Sequence, residues 1–457
     1  MFTGLKKQRE LSDTLIEDIV PADHDLVKLK KLLNWEGMNR IYECCYPSRR
    51  GNATKRTELV IGLLLLKHLY GRADRVLIEE LAVNNAWMYF CSVSYEEIRR
   101  CNTEGKKVID HSTLVKIRKR LGSERIAAIE RLFREELIQK GIISGRYLYS
   151  DTTSLEDNIS YPTEVGLLKR VIEHAEMVVQ GVVKKKELVK TVVIRKANQI
   201  AKVYYSATKK TKQLLNSTTK QLLSISKETV EKAGQSYHSC NHKMKKELER
   251  SYERVERVGQ RIVEQVERKV GGVKVKDRVV SYYEEEARPL PKGKVRTGCE
   301  FGHKLRIDMN GDGYITNYRL YRGNPADVGM LEDAVKEHAE RFGTKFKAGA
   351  MDRSFYDGTK IEELENRYGI CLAIPHKKGQ SKELTKGKKR LYDRRSGIES
   401  KISEGKRMVG LDKSYYRGYE GDLIWSVLAI LALNIRKLLR SVTQRPKLMK
   451  KMVLESG

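Results

Sequence analysis

Long apolar runs are what this chain most plainly lacks. The two most apolar stretches, Leu59 to Leu66 and Leu423 to Leu433, fall far short of the roughly 20 residues that a membrane span needs, so no membrane partner is expected. Cysteine is sparse and unpatterned. Seven residues, Cys44, Cys45, Cys91, Cys101, Cys240, Cys299 and Cys371, make an odd count without framework spacing, which excludes a disulfide scaffold and suits reduced thiols in a cytoplasmic protein. His238, Cys240 and His242 cluster without a second CxxC or HxxxH partner, so zinc is not expected there. The opening MFTGLKKQRELSD is charged throughout and lacks the apolar segment of a secretory signal. Acidic residues are also short: 60 Asp+Glu face 90 Lys+Arg, leaving a formal charge of +30. Such an excess repels itself in the folded state, and a polyanionic partner is its common explanation. Charge alone favours DNA, then RNA.

Proline is missing altogether between Pro162 and Pro289. Within that gap Leu214, Leu215, Leu222, Leu223, Val230, Leu248, Tyr252, Val255, Val258, Ile262 and Val266 recur at steps of three and four. The pattern predicts two or more long helices over 164–285, an antiparallel pair closed by Gly271–Gly272. Strand patterns resume after it, so it reads as an insertion. Scaffold, dimerisation arm and DNA clamp are all open as its role.

Length, 457 residues, exceeds a single core and predicts two or three domains. Residues 1–140 read as a helical N-terminal, DNA-binding domain. Its first clear helix carries Leu59, Leu63, Leu66 and Leu69 and ends at Gly71; a second runs from about Arg75 through Phe90. A third follows the cap-type residues Asp110, Ser112 and Thr113 and stops at Gly122. Leu114, Ile117 and Leu121 share one face of it, while Lys116, Arg118, Lys119 and Arg120 are expected to face away as a DNA-binding set. A helix-turn-helix module and a bundle with a solvated cationic face fit equally.

Tyr147, Tyr149 and Asp151 alternate with Leu148 and Ser150, predicting a strand that ends at Asp151. HKLRID and ITNYRLYRG flank the turn Asn310–Gly313 as a hairpin. The turn imitates a calcium loop, but Arg319 stands where a bidentate Glu is needed, so calcium is not expected. A helix after Pro325–Asp327, a strand FKAGAMD ending at Asp352, the helix TKIEELENRYG, the strand ICLAIP and a helical region from about Arg395 to Arg440 complete the pattern. With the insertion removed, the order matches a ribonuclease H-like mixed sheet with flanking helices. The expected catalytic domain is 146–163 with 286–440, and 441–457 is a basic tail.

Asp151 and Asp352 end separate strands, and a carboxylate on the last helical region could face both. Three such acids can hold two divalent ions about 3.5–4 Å apart, and Mg²⁺ prefers such hard oxygen ligands. From Tyr392 to Lys406 the residues match Y-x2-R-x3-E-x6-K at every fixed position. That stretch resembles the signature of bacterial insertion-sequence transposases of the DDE class. SDTTSLEDNISYPTE, GAMDRSFYDG, LDKSYYRGYEGDLIWSVLAILALNIRKLL and the N-terminal LVIGLLLLKHLYGRADRVLIEELAVNNAWMYF also look like that family. The likeness covers most of the chain outside 164–285.

The resemblance implies that Asp151, Asp352 and Glu399 are the catalytic metal ligands, with Mg²⁺ as cofactor and Mn²⁺ as substitute. It implies that Tyr392, Arg395 and Lys406 hold transposon-end DNA. It further implies a double-stranded DNA substrate comprising terminal inverted repeats and target, at least a homodimer on DNA, and a nucleoid-associated enzyme. The reaction would be hydrolysis at the element ends followed by transfer of the 3′-hydroxyls. The alternatives are a nuclease without strand transfer and a domesticated DNA-binding protein. Glu404, five residues past Glu399, reads as an exposed competing acid; Glu156 and Asp157 rival Asp151 less well; Asp357 reads as a helix cap and Trp425 as core. One departure stands out: known members carry their large insertion after the last strand, and here it follows the first.

Overall fold

The computed structural model describes residues 16–46, 54–294, 297–377, 379 and 383–445. In the N-terminal part the Thr57–Tyr70 helix ends on Gly71, whose φ of 65° is left-handed and closes the helix without a Cβ clash. The expected single helix over 75–90 is two, Asp74–Leu81 and Asn85–Phe90. Asn84 makes the break by accepting the Trp87 N–H, because a short polar side chain competes with the helical ladder. Gly122 likewise does not end its helix. The His111–Gln139 segment kinks there, at φ 68° and ψ 173°, and resumes at once. The Glu420 carboxylate accepts the Ser123 N–H at 2.6 Å and serves as a distant cap for the resumed half.

Seven strands form one mixed sheet: β1 Tyr147–Asp157, β2 Arg288–Lys294, β3 Thr297–Met309, β4 Ile315–Tyr321, β5 Ala348–Met351, β6 Cys371–Ala373 and β7 Lys413–Ser414. The main path is β2-β3-β1-β5-β6, with β4 also on β3 and β7 also on β1. β1 and β3 are antiparallel from Tyr149↔Met309 to Glu156↔Gly302, whereas β1–β5 and β5–β6 are parallel. β1 therefore does not stop at Asp151 but continues six residues further. Thr152 to Glu156 look like loop by polarity, yet each finds a partner on β3. Gly302 permits the close approach, since a Cβ there would lie 2.1 Å from the Leu155 carbonyl oxygen. β2 was not expected from its prolines; Pro289 and Pro291 are tolerated because β2 is an edge strand.

One sheet face packs the N-terminal helices and the final Gly418–Gln444 helix in a continuous core that includes Leu63, Leu114, Phe133, Tyr149, Ile307 and Leu431. Asn434 on that last helix is fully buried and both accepts from Ile315 N and donates to Ile315 O, at 2.9 Å each. The opposite face carries Leu148, Met351 and Leu372 against the Leu331–Phe342 and Gly358–Tyr368 helices. Residues after β1 form helices Glu164–Val179, Val192–Ser206, Lys212–Ser239, His242–Arg254 and Gln260–Val270. These bury their own core around Leu168, Val171, Leu222 and Ile262. A π-helical turn, Val255–Gly259, joins the last two. Among the described residues no helix is long and apolar enough to cross a membrane. Of the basic tail expected at 441–457, residues 446–457 lie outside the described residues.

Candidate active site

The β1–β5 ladder ends at Ser150↔Met351, so Asp151 and Asp352 are the next residues on two neighbouring parallel strands. Equivalent positions on adjacent strands project to the same face, and Asp352 is close enough that its charge raises the cost of charging Asp151. The Ser396–Met408 helix brings the third acid. Arg395, at its N-cap, donates to Asp151 Oδ2 at 2.8 Å and to Glu399 Oε1 at 2.5 Å. Tyr392, from the preceding Lys386–Asp393 helix, points its hydroxyl at Asp352 Oδ1, 3.4 Å away. Its ring lies 5.2 Å from the Arg395 guanidinium carbon. Lys406 reaches further along β1, with Nζ 3.5 Å from Ser154 Oγ.

Burial sets the electrostatics. Asp151 keeps 18% of its side chain exposed and Arg395 10%, against 58% for Glu399. Desolvation raises the Asp151 carboxyl to about 6, and the charges of Asp352 and Glu399 add to it. The Thr152 N–H, which donates to Asp151 Oδ1 at 2.8 Å, and Arg395 oppose the rise without cancelling it. The acids thus sit where an added positive charge is favoured, and carboxylates are the donor set that divalent Mg²⁺ or Mn²⁺ accepts.

Beneath the site lies a network that sequence reasoning missed. Ser150 Oγ donates to Asp308 Oδ1 at 2.6 Å, and the fully buried Arg306 holds Asp308 Oδ2 at 3.0 Å and Glu337. These residues brace β1 and β3 where the acids emerge. Alternating polar residues in β3 were the available signal, but strand polarity reads as solvent exposure.

Two side chains stand elsewhere than expected. Arg118 does not face away with Lys116, Lys119 and Arg120, which are exposed. It is buried, paired with Asp74 at 3.1 Å and stacked 3.7 Å from the Tyr416 ring centroid. Arg118 follows Leu114 by four residues and precedes Leu121 by three, so helical periodicity puts it on the same face as those apolar residues, where Asp74 and Tyr416 meet it. Glu404 is not an exposed acid: it is a half-buried ion-pair hub for Lys401, Arg436 and Arg440. Asp357 caps its helix by accepting the Lys360 N–H, and Trp425 is core.

Residues 14–120 match a family model described as a transposase domain, and residues 365–439 match one described as a transposase DDE domain. The second match spans Tyr392, Arg395, Glu399 and Lys406. Both matches support an insertion-sequence DDE transposase. Asp151 and Asp352 lie outside both matched ranges, so their place beside Glu399 is read from the geometry. A curated relative from Rhizobium meliloti, an uncharacterized protein named ORF8 in the nfe locus, is 26% identical over 170 residues, 35% of this chain and 77% of that protein. No solved structure matches the chain. A transposase of this family implies a DNA substrate and a divalent metal.

Proposed function

We propose that this DDE transposase cleaves DNA at the terminal inverted repeats of its element and joins the freed 3′-hydroxyls to target DNA, with Asp151, Asp352 and Glu399 as its metal ligands on a ribonuclease H-like core. The observation that carries the reading is that one buried arginine joins the strand-borne Asp151 to the helix-borne Glu399, while Asp352 follows the neighbouring parallel strand with Tyr392 against it. Bound there, divalent ions would activate the attacking oxygen and stabilise the leaving one. Asp151 and Asp352 are fixed by the sheet and set the position of the reaction. Glu399, on a helix and more exposed, is the ligand with most freedom to adjust. Arg395 and Tyr392 present a planar fork and a hydroxyl next to the acids, suited to a DNA phosphate at the cut.

The basic surface supplies the rest of the grip. Lys116, Lys119 and Arg120 are exposed on one helix, and Lys406 lines β1 beyond the acids. A cleft of about 830 Å³ opens where the insertion leaves the sheet, lined by Tyr161, Arg170, Tyr205, Tyr283, Tyr415 and Arg417 among others. Exposed rings beside cations suit unpaired bases and backbone phosphates. Two such protomers, one per element end, would make the active assembly.

The test is cleavage and joining of a duplex that carries the flanking inverted repeat, in Mg²⁺, for the wild type beside Asp352→Ala. Products that require both Mg²⁺ and Asp352 support the reading. Specific binding without cleavage by either protein would sink it and leave a DNA-binding protein.

A further inference from the structure

Where β1 ends and the insertion begins, a second cluster of metal-type ligands is buried. Asp157 is the last residue of β1, His303 stands on β3 and Asp422 lies in the second turn of the Gly418–Gln444 helix. They are 5%, 1% and 2% exposed. His303 Nε2 is 3.9 Å from Asp157 Oδ2 and 3.6 Å from Asp422 Oδ2, and one ligand atom from each residue lies within 4.8 Å of the others. Among the described residues, neither Asp157 carboxylate oxygen meets an N–H or hydroxyl donor, and the polar group beside it is the Asp422 carboxyl.

Two buried carboxylates facing each other need a neutraliser, because burial of an unpaired charge costs several kcal/mol. Among the described residues, His303 is the basic side chain within ion-pair reach of either acid. Burial and the charges of Arg288 and Arg322 disfavour its charged form, and one imidazole facing two carboxylates could offset only one of them. Glu284 adds negative charge at the same place and raises both aspartates further. The chain as a whole carries +30, yet it places three acids here around one imidazole.

We propose that Asp157, His303 and Asp422 bind one divalent transition ion of the zinc type, as a structural centre distinct from the Asp151–Asp352–Glu399 site. Six residues of β1 separate the two, about 20 Å along the strand. Zinc bonds of 2.0–2.2 Å place tetrahedral ligands about 3.4 Å apart, so His303 would close on each aspartate by about half an ångström or less, and the aspartates on each other by at most about 1.4 Å. A neutral imidazole with two carboxylates suits Zn²⁺ better than Mg²⁺, which keeps several waters and oxygen ligands. Ser414, fully buried on β7, donates to Asp422 and orients it. Gly323 N–H donates to His303 Nδ1 at 3.4 Å, so binding an ion through Nε2 would require the ring proton to move to Nδ1 and that contact to open.

The location says what the ion would do. The chain leaves the sheet at Asp157 and returns through Glu284, which accepts the Gly418 N–H at 2.8 Å. A metal there ties β1, β3 and the last helix at the root of the insertion, and so fixes the insertion and its cleft relative to the sheet. The competing neutraliser is a proton shared by Asp157 and Asp422.

The experiment titrates Co²⁺, as a coloured zinc stand-in, into the full-length chain carrying Asp352→Ala and Glu399→Ala, which silence the other acids. One equivalent bound with tetrahedral absorption, displaced by Zn²⁺ and lost on further His303→Gln or Asp422→Asn, is the expected result. Circular dichroism checks that each variant is folded, and if the added variants unfold, the parent titration decides alone. No uptake by the folded parent would overturn the proposal in favour of the shared proton. Uptake that survives His303→Gln and Asp422→Asn would overturn it too. Neither result depends on whether the chain transposes DNA.

Discussion

Arg395 donates to Asp151 across 2.8 Å while 90% of the arginine side chain is shielded from solvent. A buried guanidinium so placed lowers the aspartate's proton affinity, but desolvation still leaves that carboxyl at about 6. The folded group therefore holds its proton over a range in which the unfolded one, near 3.8, has released it. Its contribution to metal-free stability is present below pH 3.8 and lost as pH rises through about 6. A divalent ion, which needs the carboxylate, works in the opposite direction. The rise in melting temperature on adding Mn²⁺ is expected to be larger at pH 7.5 than at pH 5. An equal rise at both would show that Asp151 does not titrate in that window. Arg395→Gln should move the onset to higher pH.

Loss of a proposed metal ligand should act on chemistry rather than on folding. Asp352→Ala is expected to reduce end cleavage by more than about 100-fold, the upper end of what residues merely supporting a metal ligand cost. Specific binding to the terminal repeat should persist in a mobility-shift assay. Glu404→Ala is the contrast, because that acid is engaged with Lys401, Arg436 and Arg440. It should keep cleavage and lose some stability. Equal loss of cleavage in both would reassign the third acid.

Basic residues of the His111–Gln139 helix divide into two kinds. Lys116, Lys119 and Arg120 are exposed, so their combined replacement by Ala should weaken DNA binding and flatten its salt dependence, leaving the melting temperature within about a degree. If DNA binding engages six to ten phosphates in all, affinity falls on the order of 10³–10⁵ between 50 and 200 mM salt, and each lost contact lowers that slope by about one. Arg118→Ala should instead cost about 1.5–3 kcal/mol of stability, the worth of a hydrogen bond to a charged group. Its partner Asp74 keeps Lys67 at 2.8 Å, which limits the damage. Denaturant unfolding beside a salt titration of DNA affinity separates the two kinds.

That division was partly legible in the sequence, since Arg118 stands four residues after Leu114 on the apolar face, but a charged side chain reads as solvated. Periodicity places Leu114, Ile117, Arg118 and Leu121 on one buried face; what it cannot show is that Asp74 and Tyr416 arrive from elsewhere to pair with the arginine. The same blindness ended β1 at Asp151. Polar residues from Thr152 onward look solvated, whereas the antiparallel partner that pairs them lies some 150 residues away in β3. What the sequence did carry was local: the strand leading to Asp151, the strand leading to Asp352 and the spaced motif around Glu399. Their convergence needs the parallel register Ser150↔Met351, which no spacing encodes. The braces Arg306 and Asp308 and the cluster of Asp157, His303 and Asp422 are likewise products of tertiary assembly.

Asn434 offers the sharpest test of how the last helix is held. Its amide meets both the N–H and the carbonyl of Ile315 at 2.9 Å, in a core with no solvent access. The Ile315 carbonyl and N–H belong to the first residue of β4, where the ladder with β3 shifts register between Asp308 and Met309. The side chain thus supplies bonds that the irregular ladder omits. Replacing it with Leu keeps the volume and removes both partners, stranding one buried donor and one buried acceptor. Each stranded group costs about 1–3 kcal/mol, so Asn434→Leu should destabilise the chain by about 2–6 kcal/mol in urea unfolding. Asn434→Gln retains the amide but lengthens the side chain by one methylene in a packed site, and overpacking costs about 1–3 kcal/mol. Leu is therefore expected to be at least as damaging as Gln despite its better fit to an apolar core. A Leu variant as stable as the wild type would mean that Ile315 finds other partners, and that the last helix is held by apolar packing alone.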